Sequence, residues 1–182
     1  MELSLRVWSM VLGAVHLAAG LAAICRPCAV RSGLERFPRH IGIGRILAAI
    51  AIFWAASIVY RAELGRFSWL KPLLWALTPA AWGLIAGLLD ELLAPRALGG
   101  LLLLLARVVL EAARLHPHAA ARAVSVLAYG WVVAGMTLVA APWQFRRCWA
   151  PLLKTPRRLR TTGALGAALG AGLIALAWTV YR

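Results

Sequence analysis

Residues 7–24, 41–60, 123–145 and 161–181 form four runs of 18 to 23 residues in which Arg45 is the only formal charge. A helix satisfies every backbone N–H and C=O within such a run, and about twenty residues at about 1.5 Å each match the hydrocarbon thickness of a bilayer. Arg45 lies near the start of its run, where a long side chain can extend its charge outward. The expected fold is therefore all-α: a polytopic transmembrane helical bundle forming one domain over residues 1–182. A water-soluble alternative is excluded by composition, with 63% of residues hydrophobic and a mean hydropathy of +0.80. A domain this small has too much surface for its volume to hide that much apolar area from water. Residues 7–24 also resemble a signal-peptide core, with Leu21-Ala22-Ala23-Ile24-Cys25 at the place of a lipoprotein cleavage box. Ile24 is too large for the position before such a cysteine, so the segment is read as a retained helix.

The centre of the chain is less regular. Residues 72–89 are uncharged, begin with Pro72 at a favourable first-turn position, contain Pro79 as an expected kink, and are closed by Asp90 and Glu91. Residues 96–115 have an uncharged core of only ten residues, 97–106, followed by Arg107, Glu111 and Arg114. Those three share one helical face. The segment reads either as a short span whose Arg107 and Glu111 pair, or as an amphipathic helix lying in the interface.

Charge then constrains topology. The chain carries 20 basic residues, all Arg except Lys71 and Lys154, against 6 acidic ones, for a net charge of +14. The Arg residues sit between apolar runs and form no single block, which fits the positive-inside pattern and anionic lipid headgroups, and argues against nucleic acid. One connector holds Arg26, Arg31, Arg36 and Arg39, with Arg45 just beyond; another holds Arg146, Arg147, Lys154, Arg157, Arg158 and Arg160. Placing both in the cytoplasm requires an even number of crossings. Six spans are expected, with four as the alternative, and in either case both termini lie outside. Trp8, Tyr60, Trp69, Trp178 and Tyr181 then gather at the outer interface, with Trp143 and Trp149 at the inner one.

An offset of 121 aligns Arg26 with Arg147, Arg39 with Arg160, Gly42 with Gly163, and Val59-Tyr60-Arg61 with Val180-Tyr181-Arg182. This suggests a parallel repeat of two helical hairpins, 7–60 and 123–182, around a central segment 61–118. Pro142-Trp143, Arg146-Arg147, Trp149, Leu153, Pro156, Leu159-Arg160 and Gly163 lie within residues 135–182. That stretch resembles the YjeT-like small bacterial inner-membrane proteins. The resemblance covers about a quarter of the chain and implies a hairpin with a basic connector in a bacterial cytoplasmic membrane; it carries no chemistry with it.

Few residues offer chemistry. Cys25-Arg26-Pro27-Cys28 is a C-x-x-C at the end of the first run, and Cys148 lies in the matching connector. Such thiols beside Arg are redox candidates. The motif is similar to that of quinone-linked thiol oxidases of the DsbB type, but the second cysteine pair of that chemistry is missing, and an Arg-rich connector belongs on the reducing side. Cys25, Cys28, Cys148 and His40 form a second candidate, a metal site. His16, in the middle of the first run, is the candidate ligand for a haem or pigment, with His40, His116 and His118 at membrane edges; no resident cofactor is expected. Gly83-x-x-x-Gly87 and Gly163, Gly166 and Gly170 place small residues along helix faces, where backbones can approach. Arg107 and Glu111 are the charged intramembrane candidates. No nucleophile–base set or phosphate loop is present. The leading reading is a non-catalytic membrane subunit or accessory protein that packs against other membrane proteins. Its alternatives are a redox or cofactor-binding membrane protein and a small transporter built on the charged central segment.

Overall fold

The computed structural model describes residues 5–63, 65–88, 92–114 and 120–181. Asp90, Glu91, His116 and His118 lie outside that set. Eight α-helices follow one another: α1 (Leu5–Cys25), α2 (Pro27–Arg36), α3 (Ile41–Arg61), α4 (Lys71–Leu88), α5 (Leu93–Arg114), α6 (Ala121–Ala140), α7 (Gln144–Leu153) and α8 (Pro156–Thr179). Short 3-10 turns occupy Phe37–Arg39 and Gly65–Leu70, and no strand occurs among the described residues.

Proline sets most of the boundaries. Pro27 and Pro156 open α2 and α8 at a position where a missing N–H has no cost. Thr155, preceding Pro156, is extended at φ −135° and ψ 139° because the proline ring disfavours helical geometry in the residue before it. α3 starts differently: the His40 ring Nδ1 accepts the Ile43 N–H at 3.2 Å, satisfying one of the open donors of the first turn. Leu92 enters α5 with φ 57°, a left-handed conformation that costs a leucine about 1–2 kcal/mol.

Among the described residues, α1, α3, α5, α6 and α8 are long and apolar enough to cross a membrane. α5 agrees with the spanning alternative for residues 96–115 and is longer than the uncharged core suggested. It is one unbroken helix of 22 residues whose apolar part meets the length requirement, despite the charged face at its end. α4 falls short by composition, since it begins with Lys71 and carries two prolines and two tryptophans among 18 residues. It spans about 27 Å, slightly under the thickness of the hydrocarbon layer.

The chain divides into two compact units that ignore the order of the hairpins. One comprises residues 1–35, 105–133 and 146–182; the other comprises 36–104 and 134–145, so α5 and α6 contribute to both. In the first unit α1 packs antiparallel on α8. A Cβ on Gly20 would lie 2.5 Å from the Gly163 carbonyl oxygen and 2.5 Å from the Ala167 nitrogen. One on Gly13 would lie 2.7 Å from the Gly170 oxygen and 2.6 Å from Ile174 Cγ1. Gly13 faces Gly170 and Gly20 faces Gly163, with seven residues between contacts on each helix, the spacing of a left-handed coiled seam. Val109, Val124, Ala106 and Ala128, all 0% exposed, build the core of the same unit between α5 and α6, with Trp8 and Tyr181 packed into it. Tyr181 is 2% exposed and its hydroxyl donates to the Ala120 carbonyl at 2.8 Å.

In the second unit, α3 meets α5 where Gly44 abuts the Ala94 backbone, and α5 meets α6 where Gly99 and Gly135 lie against each other's carbonyls. Ala48, Leu93 and Ala97 form its small core, joined by Ile85 of α4. Trp82 Nε1 on α4 donates to the Arg45 carbonyl at 3.2 Å, tying α4 to the start of α3.

Long–short–long ordering recurs in both halves, as α1, α2, α3 and again as α6, α7, α8, and both short helices have 10 residues. Among the aligned residues, Arg26 and Arg147 are both exposed, as are Arg39 and Arg160, while two other pairs differ. Gly163 is buried against α1 whereas Gly42 is exposed, and Tyr181 is buried whereas Tyr60 is 47% exposed.

Gly20→Leu should lower thermal stability in detergent by the upper part of the ~1–3 kcal/mol range for overpacking, because its obstructions are backbone atoms. Gly83→Leu should leave it unchanged or slightly raised, and circular dichroism melts of the two variants separate these outcomes. Burial raises the Tyr181 phenol above its ordinary value of 10.0. A raised folded-state value means that the stabilisation is complete below about pH 10 and is lost as pH climbs through the folded value. Tyr181→Phe should therefore cost about 1 kcal/mol near neutrality, and its deficit against wild type should shrink in alkali.

Candidate functional site

The cysteines stand apart from any built centre. Cys25 ends α1, Cys28 lies in the first turn of α2 and Cys148 lies in α7; all three are free and exposed. Among the described residues no group of three or more His, Cys, Asp or Glu is arranged to hold a metal ion. His40, the suggested fourth ligand, already uses Nδ1 to cap α3.

His16 is half-buried on α1. Its Nδ1 donates to the Leu12 carbonyl at 2.8 Å, and its ring stacks on Trp131 of α6 with centroids 6.3 Å apart and planes 12° from parallel. The carbonyl can only accept, so Nδ1 carries a proton. The ring's stacking partner is thus an indole of α6, and its hydrogen bond stays within α1.

The glycines divide sharply. Gly163 and Gly170 are buried against α1, whereas Gly166 is half-buried, with ordinary clearance of 3.9 Å to Gly20 Cα. Gly83 and Gly87 are exposed on α4, and a Cβ at either would meet nothing within 4 Å. Gly13, Gly20, Gly44, Gly99 and Gly135, which form the tight crossings, had not stood out. The seven-residue spacing shared by Gly13 and Gly20 with Gly163 and Gly170 was the available signal.

Two grooves remain. The first, of about 490 Å³, lies in the first unit and is lined by Arg107, Leu110, Glu111 and Arg114 of α5 with Ser125 and Tyr129 of α6. Arg107 and Glu111 are both exposed one turn apart, and neither belongs to an ion pair; among the described residues the ion pair is Arg31–Glu35 on α2, at 2.8 Å. Ser125 donates to the Ala121 carbonyl of its own helix. The groove is thus an open polar face with two guanidiniums, one carboxylate and a phenol.

The second groove, about 370 Å³, lies in the second unit between α3 and α4. It is lined by Phe53, Ala56, Ser57, Tyr60 and Arg61 on one side and Leu74, Trp75 and Thr78 on the other. Ser57 donates to the Trp54 carbonyl and Thr78 to the Leu74 carbonyl, so both hydroxyls are satisfied by their own helices. Tyr60 meets Trp75 edge-on at 6.2 Å, and Lys71 Nζ stands 5.7 Å over the Tyr60 ring. Its interior is apolar and its cations collect at one end.

Compared with known proteins, the chain matches no family model, no curated protein and no solved structure. Function therefore has to be argued from these surfaces.

Because Arg107 and Glu111 make no ion pair, replacing either with Leu should shift stability by no more than about 0.5 kcal/mol, read as a thermal melt in detergent. A loss of several kcal/mol would show that the two charges support each other.

Proposed function

We propose that this protein is a non-catalytic, multi-pass membrane subunit or accessory protein that docks a helix of another membrane protein on α4. The observation that carries this reading is the Gly83–Gly87 pair, one turn apart and exposed with nothing within 4 Å. Within an apolar solvent, helices gain nothing from merely hiding hydrocarbon from lipid, and association relies on close backbone approach at small residues. At the α1–α8 seam and at Gly99–Gly135 the chain uses glycine in that way. On α4 the same device points away from the protein's own helices.

The membrane we propose is a bacterial cytoplasmic one, in line with the YjeT-like resemblance of residues 135–182. Six crossings are counted by adding α4 to the five apolar helices, which puts both Arg-rich connectors in the cytoplasm and both termini outside. A second reading, a small transporter, draws on the Arg107–Glu111–Arg114 groove, since charged groups along a helix face suit a solute path.

The docking reading is tested by mild-detergent purification with mass spectrometry of wild type beside Gly83→Leu/Gly87→Leu. Wild type should bring down a stoichiometric membrane protein that the variant, equally helical and equally stable, loses. Recovery of wild type without any such protein would overturn the reading, as would a partner indifferent to both leucines. Solute flux in proteoliposomes that disappears with Arg107→Leu would favour the transporter.

A further inference from the structure

We propose that the α3–α4 groove binds an anionic phospholipid of the surrounding bilayer, with one acyl chain lying along Phe53, Ala56, Leu74 and Trp75 and the phosphate held at Arg61 and Lys71. This goes beyond the docking of a protein on α4 and does not depend on it. At about 100° per residue, Leu74, Trp75 and Thr78 cover one arc of α4, and Gly83 and Gly87 lie roughly opposite.

The lining selects the occupant. The Ser57 and Thr78 hydroxyls already donate to carbonyls of their own helices, and the third hydroxyl of the lining belongs to Tyr60, whose ring lies under Lys71 at the cationic end. Arg61 lies in the last turn of α3 and Lys71 in the first turn of α4; both adjoin Tyr60, the one in sequence and the other over its ring. No Asp or Glu is among the lining residues. In the connector, Glu63 and Arg66 balance each other formally and leave these two cations in excess. An apolar trough with positive charge at one mouth matches an amphiphile with an anionic head. Tyr60 and the 72%-exposed Trp75 suit the headgroup level, where amphipathic rings settle.

At about 30 Å³ per water-sized group, a groove of about 370 Å³ takes roughly a dozen methylenes, a length suited to part of one acyl chain.

The test uses the full-length protein in mild detergent, exposed to dioleoyl phosphatidylglycerol or dioleoyl phosphatidylcholine, with retained lipid read by native mass spectrometry. Wild type should retain phosphatidylglycerol in preference, and Arg61→Gln and Lys71→Gln should each reduce that preference about fivefold. Arg61→Lys should keep most of it. Arg157→Gln/Arg160→Gln removes two charges from the start of α8 and should leave the preference intact. An equal fall in that control would reveal general attraction to a basic protein and overturn the site. So would an undiminished preference in both groove variants, or competition by chain-free glycerol phosphate as strong as that by the lipid. Because each groove variant changes one side chain at the surface, helicity and melting temperature should match wild type. Retention of a copurifying protein in the same variants separates failure of this site from failure of α4 docking.

Discussion

Backbone contact between α1 and α8 is the constraint from which much of the molecule follows. An apolar helix surface gains little by leaving lipid for another helix, so helices stay together only where dispersion contacts are dense and carbonyls and Cα–H groups come close. Four glycines, at positions 13, 20, 163 and 170, provide that approach over two successive heptads. They join the first long helix to the last. The neighbouring residues are consequences: Arg6 lies 5.2 Å over the Trp178 ring, Tyr181 closes against Ala120, and Ser9 is wholly buried with no partner for its hydroxyl. A side chain much larger than serine at that place would force α1 outward.

The helices were readable in advance because their limits have local causes. Uncharged length, the prolines at 27, 72 and 156, and the Arg clusters between runs mark where each element begins and ends. Pairing has no such local cause. Gly83-x-x-x-Gly87 is the more conspicuous motif and is open, whereas Gly13 and Gly20 are tightly engaged although nothing in α1 alone distinguishes them. The difference lies in the facing helix, more than 140 residues away. Trp8 and Tyr181 could be placed near helix ends by residue type, but their packing on the α5–α6 core could not be read from it. The repeat shows the same division: its layout is visible in helix lengths and its aligned arginines are alike in being exposed, while Gly42 and Gly163, and Tyr60 and Tyr181, fall in unlike surroundings.

Site chemistry was legible to a similar degree. The face of Arg107, Glu111 and Arg114 could be drawn from spacing alone, and those side chains do line one groove together. The α3–α4 groove could not be drawn so, because Arg61 and Lys71 lie on different helices and meet only when α3 and α4 fold back on each other. Cys25 and Cys28 are close in sequence, yet α1 ends at the first and α2 has already begun at the second, with both exposed.

α4 joins these observations, and its composition follows from its two exposed faces. A helix that only had to sit in lipid would be better made of leucine and valine than of Lys71, Pro72, Trp75, Pro79 and Trp82. Pro79 has no N–H to give the carbonyl of Trp75 one turn earlier, so the backbone is locally weakened beside the groove. Trp82 compensates from the other end by donating to the Arg45 carbonyl, and Ile85 packs beside the small Ala48–Leu93–Ala97 core. α4 is therefore held to α3 at both ends, by Trp82 and Ile85 in its C-terminal half and by the contacts of Lys71 and Trp75 with Tyr60 beside the groove.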